Sequence, residues 1–195
     1  MSALPLAFYA RPAAVVARAL LGKRLVSTVG GRRCVVRIVE VEAYTGPDDP
    51  ACHAFGWHRS ARNEALYGRP GLLYVYFTYG MHWCANVVTE RAGFPAAVLL
   101  RAGEPLEGIA TMRRRRRIGA AEDLASGPAK LAQALGITRD LDRHLLVRAP
   151  LWIADGPPVP PARRAVSVRI GVRRGAERRL RFFERGNPHV SRPRS

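Results

Sequence analysis

The chain has 195 residues, 48% of them hydrophobic, and a formal net charge of +17 from 32 basic and 15 acidic residues. This length predicts one domain with one core, and this hydrophobic content excludes global disorder. Only Lys23 and Lys130 are lysines, so arginine carries the excess charge. Arginine binds phosphate bidentately, which favours a polyanionic partner such as nucleic acid.

A helix and a β-hairpin are predicted first. Pro12 suits the first position of the helix, and Gly22 ends it. Residues 23–29 and 34–44 have the composition of strands, and Gly30-Gly31 between them is typical of a hairpin turn.

A long connection, residues 45–71, separates this hairpin from three further predicted strands. It is rich in Gly, Pro, Asp and Arg, and a loop of this length in a compact domain is more often functional than idle. The three strands are predicted at 72–79, 82–89 and 96–102.

Two helices and a return to strands are predicted in the second half. Glu104-Pro105 opens the first helix, which runs into Arg113–Arg117. Like charges three and four residues apart weaken a helix, so this run is predicted to be a frayed or exposed end with a general electrostatic role. The second helix is predicted within 126–136, and strands are predicted at 166–172 and 180–186.

Together these elements predict an α+β fold. Strands occur in runs and helices are few and scattered, which favours a mainly antiparallel sheet over a parallel βαβ array. We expect a single compact domain over residues 1–195, with short flexible ends at about 1–9 and 192–195.

Cysteine usage and the start of the chain predict the compartment. Cys34, Cys52 and Cys84 are odd in number and form no CxxC pair, which argues against a disulfide framework and against a structural zinc site. No run reaches the ~18 apolar residues of a membrane span, and no basic region precedes the first apolar residues. We therefore expect no metal, no membrane and no secretion signal. In a prokaryote the protein would be cytoplasmic and associated with the nucleoid.

The predicted strand at 34–44 carries two carboxylates. Its period of two places Glu40, Glu42 and Tyr44 on one face, just before a turn of Thr, Gly, Pro and Asp. A carboxylate kept within such a basic chain is a candidate general base. A half-exposed strand with polar residues on its wet face explains the alternation equally well.

Five further residues are candidates with ordinary alternatives. Tyr76 and Tyr79 lie in and at the end of an aromatic strand, where tyrosines stack on bases or merely pack. Asn86 is unusual because asparagine is depleted in strands and a buried amide needs partners. His53 in a loop would ordinarily be solvated, and Arg101, at the end of an apolar strand, would ordinarily be a surface residue.

Five blocks of sequence carry a family resemblance. In order they are RIVEVEAYTGPDDPACH, GLLYVYFTYGMHWCANVV, VLLRAGEPLEG, SGPAKLAQAL and RFFERGNPHVS. As a set, from about Ala10 to Arg192, they resemble the alkyladenine (3-methyladenine) DNA glycosylases of the mammalian type rather than the helix-hairpin-helix type. The resemblance implies a curved antiparallel sheet, no cofactor, and base excision repair of double-stranded DNA that contains damaged purines.

The resemblance also implies a mechanism. A monofunctional enzyme would flip a damaged purine, such as 3-methyladenine, hypoxanthine or ethenoadenine, out of the duplex and hydrolyse its N-glycosidic bond. Glu42 would be the general base that activates the water, and Tyr44, His53 and Tyr76 would form the sandwich around the base. Asn86 would line the floor of the pocket and exclude the 2-amino group of guanine.

The remaining implied contacts are with the duplex. Tyr79 would fill the gap that the flipped nucleotide leaves, and Arg101 and Lys130 would contact the DNA backbone. Glu40 competes with Glu42 for the catalytic role, and we interpret it as a structural carboxylate because the family match singles out Glu42. The protein is expected to act as a monomer.

Two alternatives to this function stay open. A bifunctional glycosylase-lyase would need an amine to form a Schiff base, which only Lys23, Lys130 or the amino terminus could supply. A non-catalytic nucleic-acid-binding domain, similar to the carboxy-terminal domain of methionyl-tRNA formyltransferase, would need neither the carboxylate nor the aromatic cage.

Overall fold

A curled antiparallel sheet is the centre of the structure, a computed structural model that describes residues 1–78 and 80–191. The strands of these residues are β1 (Arg24–Ser27), β2 (Cys34–Tyr44), β3 (Leu73–Thr78), β4 (His82–Thr89), β5 (Ala96–Glu107), β6 (Val147–Arg148), β7 (Leu151–Ala154), β8 (Arg164–Ser167) and β9 (Arg181–Glu184). The helices are α1 (Leu6–Tyr9), α2 (Ala13–Leu20), α3 (Ile109–Arg116) and α4 (Pro128–Leu135). The predicted α+β class is confirmed.

The long strand β2 organises the sheet. Its first half pairs with β1, its second half pairs with β9, and β5 runs along its other edge. The full order is β3-β4-β5-β2-β1-β7-β6, with β8 paired to β9. The β2–β5 register shifts around Glu40, and such bulges bend a strand and increase its twist.

Helices α2 and α4 cover the sheet with short apolar stripes. In α2 the buried side chains are Val16, Ala17 and Leu20, and in α4 Leu131 and Leu135 are buried. Both helices have the punctuation that the sequence predicts, with a proline at the start and a glycine at or just after the end. Within the described residues, no helix is long and apolar enough to cross a membrane.

The first helix of the second half, predicted to open at Glu104-Pro105, begins later in the structure. Glu104 and Pro105 belong to β5, which stays paired with β2 where Glu104 lies opposite Arg37 and forms an ion pair with it. The helix α3 begins only after Gly108, whose φ of +79° suits glycine at this sharp change of direction. Strand pairing therefore overrides the local helix signal.

The arginine run is only partly exposed, contrary to our expectation. Arg115 donates hydrogen bonds to the carbonyl oxygens of Val29 and Ala134, and Arg116 donates one to that of Leu124. These bonds fix α3 against the β1–β2 hairpin and α4, because backbone carbonyls accept the charged donors.

One other prediction needs correction. The alternation at 166–172 is a strand only as far as Ser167, because the side chain of Arg169 is held elsewhere, as described below. Near the start of the chain, Leu4 and Tyr9 are buried in the core and the Leu4 N–H bonds to the Ile153 carbonyl. The flexible end at about 1–9 stays a prediction, and the one at 192–195 lies outside the described residues. The short strands β6 and β7 were not predicted.

Candidate active site

A cavity of about 1520 Å³ opens beside the sheet. It exceeds the roughly 300–1,000 Å³ of common small-molecule pockets, as suits a macromolecular substrate. Six of the residues predicted from sequence line it: Tyr44, His53, Tyr76, Asn86, Arg101 and Lys130. Glu42 lies behind its surface, and Tyr79 lies outside the described residues.

An aromatic wall forms one side of the cavity. Tyr74 and Tyr76 project to the same side of β3, two residues apart, and their rings stack with centroids 5.4 Å apart. The ring of His53, from the long loop, meets Tyr76 edge to face at 4.6 Å. Its Nδ1 lies 2.9 Å from the Tyr74 hydroxyl oxygen, so Tyr74 orients the imidazole.

Burial sets the charge state of this wall. Desolvation by the surrounding protein lowers the pKa of His53, although part of this side chain is exposed, and the nearby charge of Arg62 lowers the pKa further. Burial also raises the pKa of Tyr76, which keeps its hydroxyl protonated. The wall therefore presents uncharged aromatic surface.

Asn86 forms part of the floor from the neighbouring strand. It lies opposite Tyr74 in the β3–β4 register, and its Nδ2 donates a 3.2 Å hydrogen bond to the Tyr74 carbonyl oxygen. The residue is 5% exposed and lines the cavity. Its amide is thus held in place by the strand that carries the aromatic wall.

Glu42 is completely buried, accepts two hydrogen bonds and has one ion-pair contact. Its Oε1 accepts a 2.8 Å hydrogen bond from the Ile170 N–H, and its Oε2 accepts one of 3.0 Å from the Tyr44 hydroxyl. The Arg101 Nη1 lies 3.3 Å from the same Oε2. Burial, and then the charge of Glu42, raise the pKa of Tyr44, so its hydroxyl remains a donor.

Glu40 is also completely buried, but its oxygens are more fully occupied. Its Oε1 accepts from Arg101 Nε at 3.0 Å, Arg181 Nε at 2.6 Å and Ser191 Oγ at 2.8 Å. Its Oε2 accepts from the Ser191 N–H at 2.7 Å. A carboxylate offers about four acceptor sites, and Glu40 accepts four hydrogen bonds, three of them on Oε1. The interpretation of this strand as a wet polar face is wrong.

Arg101 is not the surface residue that its sequence position suggests. It is 6% exposed, and its guanidinium bridges Glu40 and Glu42. Its partners come from β2, about sixty positions earlier in the chain, and strand pairing alone brings them together. Its expected contact with the DNA backbone stays a prediction.

Lys130 lies at the rim of the cavity in the first turn of α4. Its Nζ donates to Asp123 Oδ1 at 2.8 Å and to Ser126 Oγ at 3.1 Å. An exposed ion pair of this kind contributes only about 0–1 kcal/mol, so the amine can exchange this partner for a phosphate.

The sequence reasoning missed several residues of the site. Tyr74 could have been found, because a period of two from Tyr76 places it on the same face. Asp49, Arg169 and Ile170 could not, because they meet the site through contacts between distant segments. Among the described residues, no group of three or more His, Cys, Asp or Glu side chains could hold a metal ion.

Comparisons with known proteins place this geometry in context. A sequence model of the family described as Methylpurine-DNA glycosylase (MPG) matches residues 7–188. A protein of Salinibacter ruber, provisionally named 3-methyladenine DNA glycosylase, is 46% identical over 98% of this chain and 97% of its own length. The human DNA-3-methyladenine glycosylase is 43% identical over 98% of this chain and 68% of its own length.

Proposed function

The chain belongs to the methylpurine-DNA glycosylase family, whose members are hydrolases of N-glycosyl bonds in DNA repair, and from that premise we propose a specific mechanism for it. The enzyme flips alkylated or deaminated purines out of duplex DNA and hydrolyses the glycosidic bond with a water activated by Glu42. It acts as a monomer on cytoplasmic DNA, without forming a covalent intermediate.

The observation that carries this proposal is the contrast between the two buried carboxylates. Glu40 accepts four hydrogen bonds, whereas Glu42 accepts two and has an ion-pair contact with Arg101, which leaves more of its roughly four acceptor sites for water. Arg101 holds the Glu42 carboxylate beside Tyr44, which lines the cavity. Because Glu42 has no exposed surface, Tyr44 or Arg101 must shift slightly when a nucleotide enters.

The aromatic residues supply the binding energy for the flipped base. His53 and Tyr76 already touch each other, so a base stacks between this pair on one side and Tyr44 on the other. Stacking on an aromatic side chain contributes roughly 1–3 kcal/mol per base, which offsets the few kcal/mol of unstacking. Asn86 on the floor leaves too little room for the 2-amino group of guanine.

The chemical step uses the carboxylate twice. As the bond between the sugar and the base breaks, its electron pair leaves with the base and positive charge develops on the sugar. The Glu42 carboxylate stabilises that charge and takes a proton from the water whose oxygen bonds to the sugar. Arg101 and Lys130 would contact the adjacent backbone, and the wedge role of Tyr79 rests on its sequence alone.

A lyase reaction is the second candidate, because Lys130 lines the same cavity. Of the three amines that could form a Schiff base, Lys130 lines the cavity, whereas Lys23 is paired with Asp155 and neither Lys23 nor the amino terminus of Met1 lines it. Borohydride would trap the Schiff base as a covalent protein–DNA adduct. We expect no adduct, and an adduct lost in Lys130→Gln would establish the lyase instead.

A panel of duplexes, each with one damaged purine, tests the proposed function directly. We expect release of at least one damaged base, an intact strand until alkali cleaves the abasic site, and no release from the matched undamaged duplex. Release of no purine from any duplex would overturn the proposal. Strand cleavage without alkali would favour the lyase.

A further inference from the structure

A fully buried ion pair outside the proposed reaction connects the parts of the active site. Asp49 lies in the long loop and Arg169 lies in the segment after β8, and neither side chain has any exposed area. The pair is bidentate, with Nη1 to Oδ2 at 2.5 Å and Nη2 to Oδ1 at 2.8 Å. We refer to this pair as the latch.

The arginine side of the latch reaches the strand that carries Glu42. Its Nη1 also donates a 3.0 Å hydrogen bond to the carbonyl oxygen of Ala43, between Glu42 and Tyr44. The guanidinium carbon lies 4.8 Å from the centre of the Tyr44 ring. The next residue, Ile170, donates its N–H to Glu42 at 2.8 Å. Moving Arg169 would therefore disturb both the carboxylate and one side of the base slot.

The aspartate side organises the loop that carries His53. Asp49 Oδ2 accepts the Thr45 N–H at 3.1 Å, and Oδ1 accepts the Ala51 N–H at 3.2 Å. These bonds close the turn between Tyr44 and His53, the two residues proposed for opposite sides of the base. The latch thus holds both sides and the carboxylate in one arrangement.

Stability alone does not explain such a pair. Burying two charges requires their desolvation, and an apolar pair of similar volume is often as stable or more stable. Arg169 also buries its Nε, which has no hydrogen-bond partner among the described residues, a further unfavourable contribution. What an apolar pair would lack is the set of directed bonds to Ala43, Thr45 and Ala51.

We propose that Asp49 and Arg169 are positioning residues, which hold Glu42, Tyr44 and His53 in the geometry that the reaction needs. Arg169 lies along the cavity, but its side chain, like that of Asp49, has no exposed area and acts through these three residues. This inference rests on the proposed function. It predicts that loosening the latch slows the chemical step more than it weakens lesion binding. A misplacement of about 1 Å at a reacting group can lower a rate about 10²-fold.

The test compares Arg169→Lys with Arg37→Lys. Lysine keeps the charge but loses the rigid two-pronged contact. Arg37 is a matched control, because it lies on β2, pairs with Glu104 and Glu184, and does not line the cavity. The measurements are the single-turnover excision rate with saturating enzyme, the Kd for the lesion duplex, and near-ultraviolet circular dichroism to verify folding.

We expect Arg169→Lys to lower the single-turnover rate about 10- to 100-fold with a Kd within about threefold of wild type, while Arg37→Lys stays near wild type in both. If Arg169→Lys does not fold, Asp49→Asn, which keeps the size of the side chain, is measured instead. It should show the same lowered rate with a nearly unchanged Kd. Unchanged rates in the folded latch variants, or equal losses in Arg37→Lys, would overturn the inference. An inactive wild-type protein would instead overturn the proposed function.

Discussion

Two groups of arginines in this molecule have the same side chain in opposite environments. The pocket arginines are Arg101, Arg169 and Arg181. The surface arginines are Arg113, Arg114 and Arg117. Each pocket arginine is buried and paired with a carboxylate, whereas the surface arginines are exposed on and just after α3.

The contrast shows what a net charge of +17 can and cannot indicate. A buried guanidinium between carboxylates contributes geometry, and its charge is largely cancelled locally. An exposed guanidinium contributes to the long-range field that attracts phosphate, and salt screens it. Arginine count therefore indicates an affinity for DNA, but it does not identify which arginines provide it.

The largest effect is expected for Arg101→Gln. This change leaves Glu42 buried without a cation, and breaking one partner of a buried pair typically costs about 3–5 kcal/mol. Denaturant unfolding should show a loss of this size, together with a large loss of excision. Arg114→Gln is the surface control and should change the free energy of unfolding by less than about 0.5 kcal/mol. Equal losses of unfolding free energy in the two variants would contradict the proposed difference between pocket and surface arginines.

An intermediate effect is expected within the arginine run itself. Arg115 donates to the partly buried carbonyl oxygens of Val29 and Ala134, so Arg115→Gln should lower the free energy of unfolding by about 1–3 kcal/mol. Among the described residues, the neighbouring Arg114 donates a side-chain hydrogen bond to the Thr111 hydroxyl alone. If Arg115→Gln were as mild as Arg114→Gln, the run would be one uniform surface, as the sequence predicted.

The parts of the fold that were predicted have strong local signals. Helices α2 and α4 are bounded by proline and glycine, and β1 to β4 show strand composition between turn residues. The failures have distant causes. Glu104 continues a strand because β2 pairs with it, and Val168 to Val172 leave the strand pattern because Arg169 is held by Asp49. Composition and periodicity contain neither contact.

The residues of the site likewise fall into two groups, those identified from the sequence and those that only the fold reveals. The family resemblance named the residues that line the cavity, and the structure brings six of them together. The residues that hold them form hydrogen bonds with partners more than a hundred positions away in the sequence. They are Asp49, Arg181 and Ser191. No local pattern marks such residues, because their partners are chosen by the fold.

A smaller effect concerns pH and the latch. Burial alone would raise the pKa of Asp49, but its hydrogen bonds and ion pair with Arg169 hold it below the usual value. A lowered carboxyl pKa stabilises the folded state above the unfolded pKa, and that contribution is lost as pH falls through the folded pKa. Below about pH 4, wild type should therefore lose stability more steeply than Asp49→Asn. If the free energies of unfolding of the two proteins fell in parallel with pH, the predicted contribution of the Asp49 carboxylate to stability would be contradicted.

The smallest effect on folding is expected when Arg113, Arg114 and Arg117 are all changed to Gln. Binding to undamaged duplex should weaken, and the slope of log affinity against log salt should fall in magnitude by about 2 to 3. Excision at saturating enzyme should not change. The control changes Arg139, Arg143 and Arg148 to Gln, which removes the same charge from exposed sites that do not line the cavity. An equal change in slope would mean that total charge, rather than the α3 surface, sets affinity.

The most direct test of the central claim is single-turnover excision by Glu42→Gln. Glutamine keeps the size of the side chain but cannot accept the proton, and general-base catalysis is typically worth about 10²–10⁴-fold. We predict a loss of at least this size with near-normal affinity for the lesion duplex, while Glu104→Gln, a pair-breaking change on β5 away from the cavity, stays close to wild type. Excision by folded Glu42→Gln at the wild-type rate would contradict the assignment of Glu42 as the catalytic carboxylate.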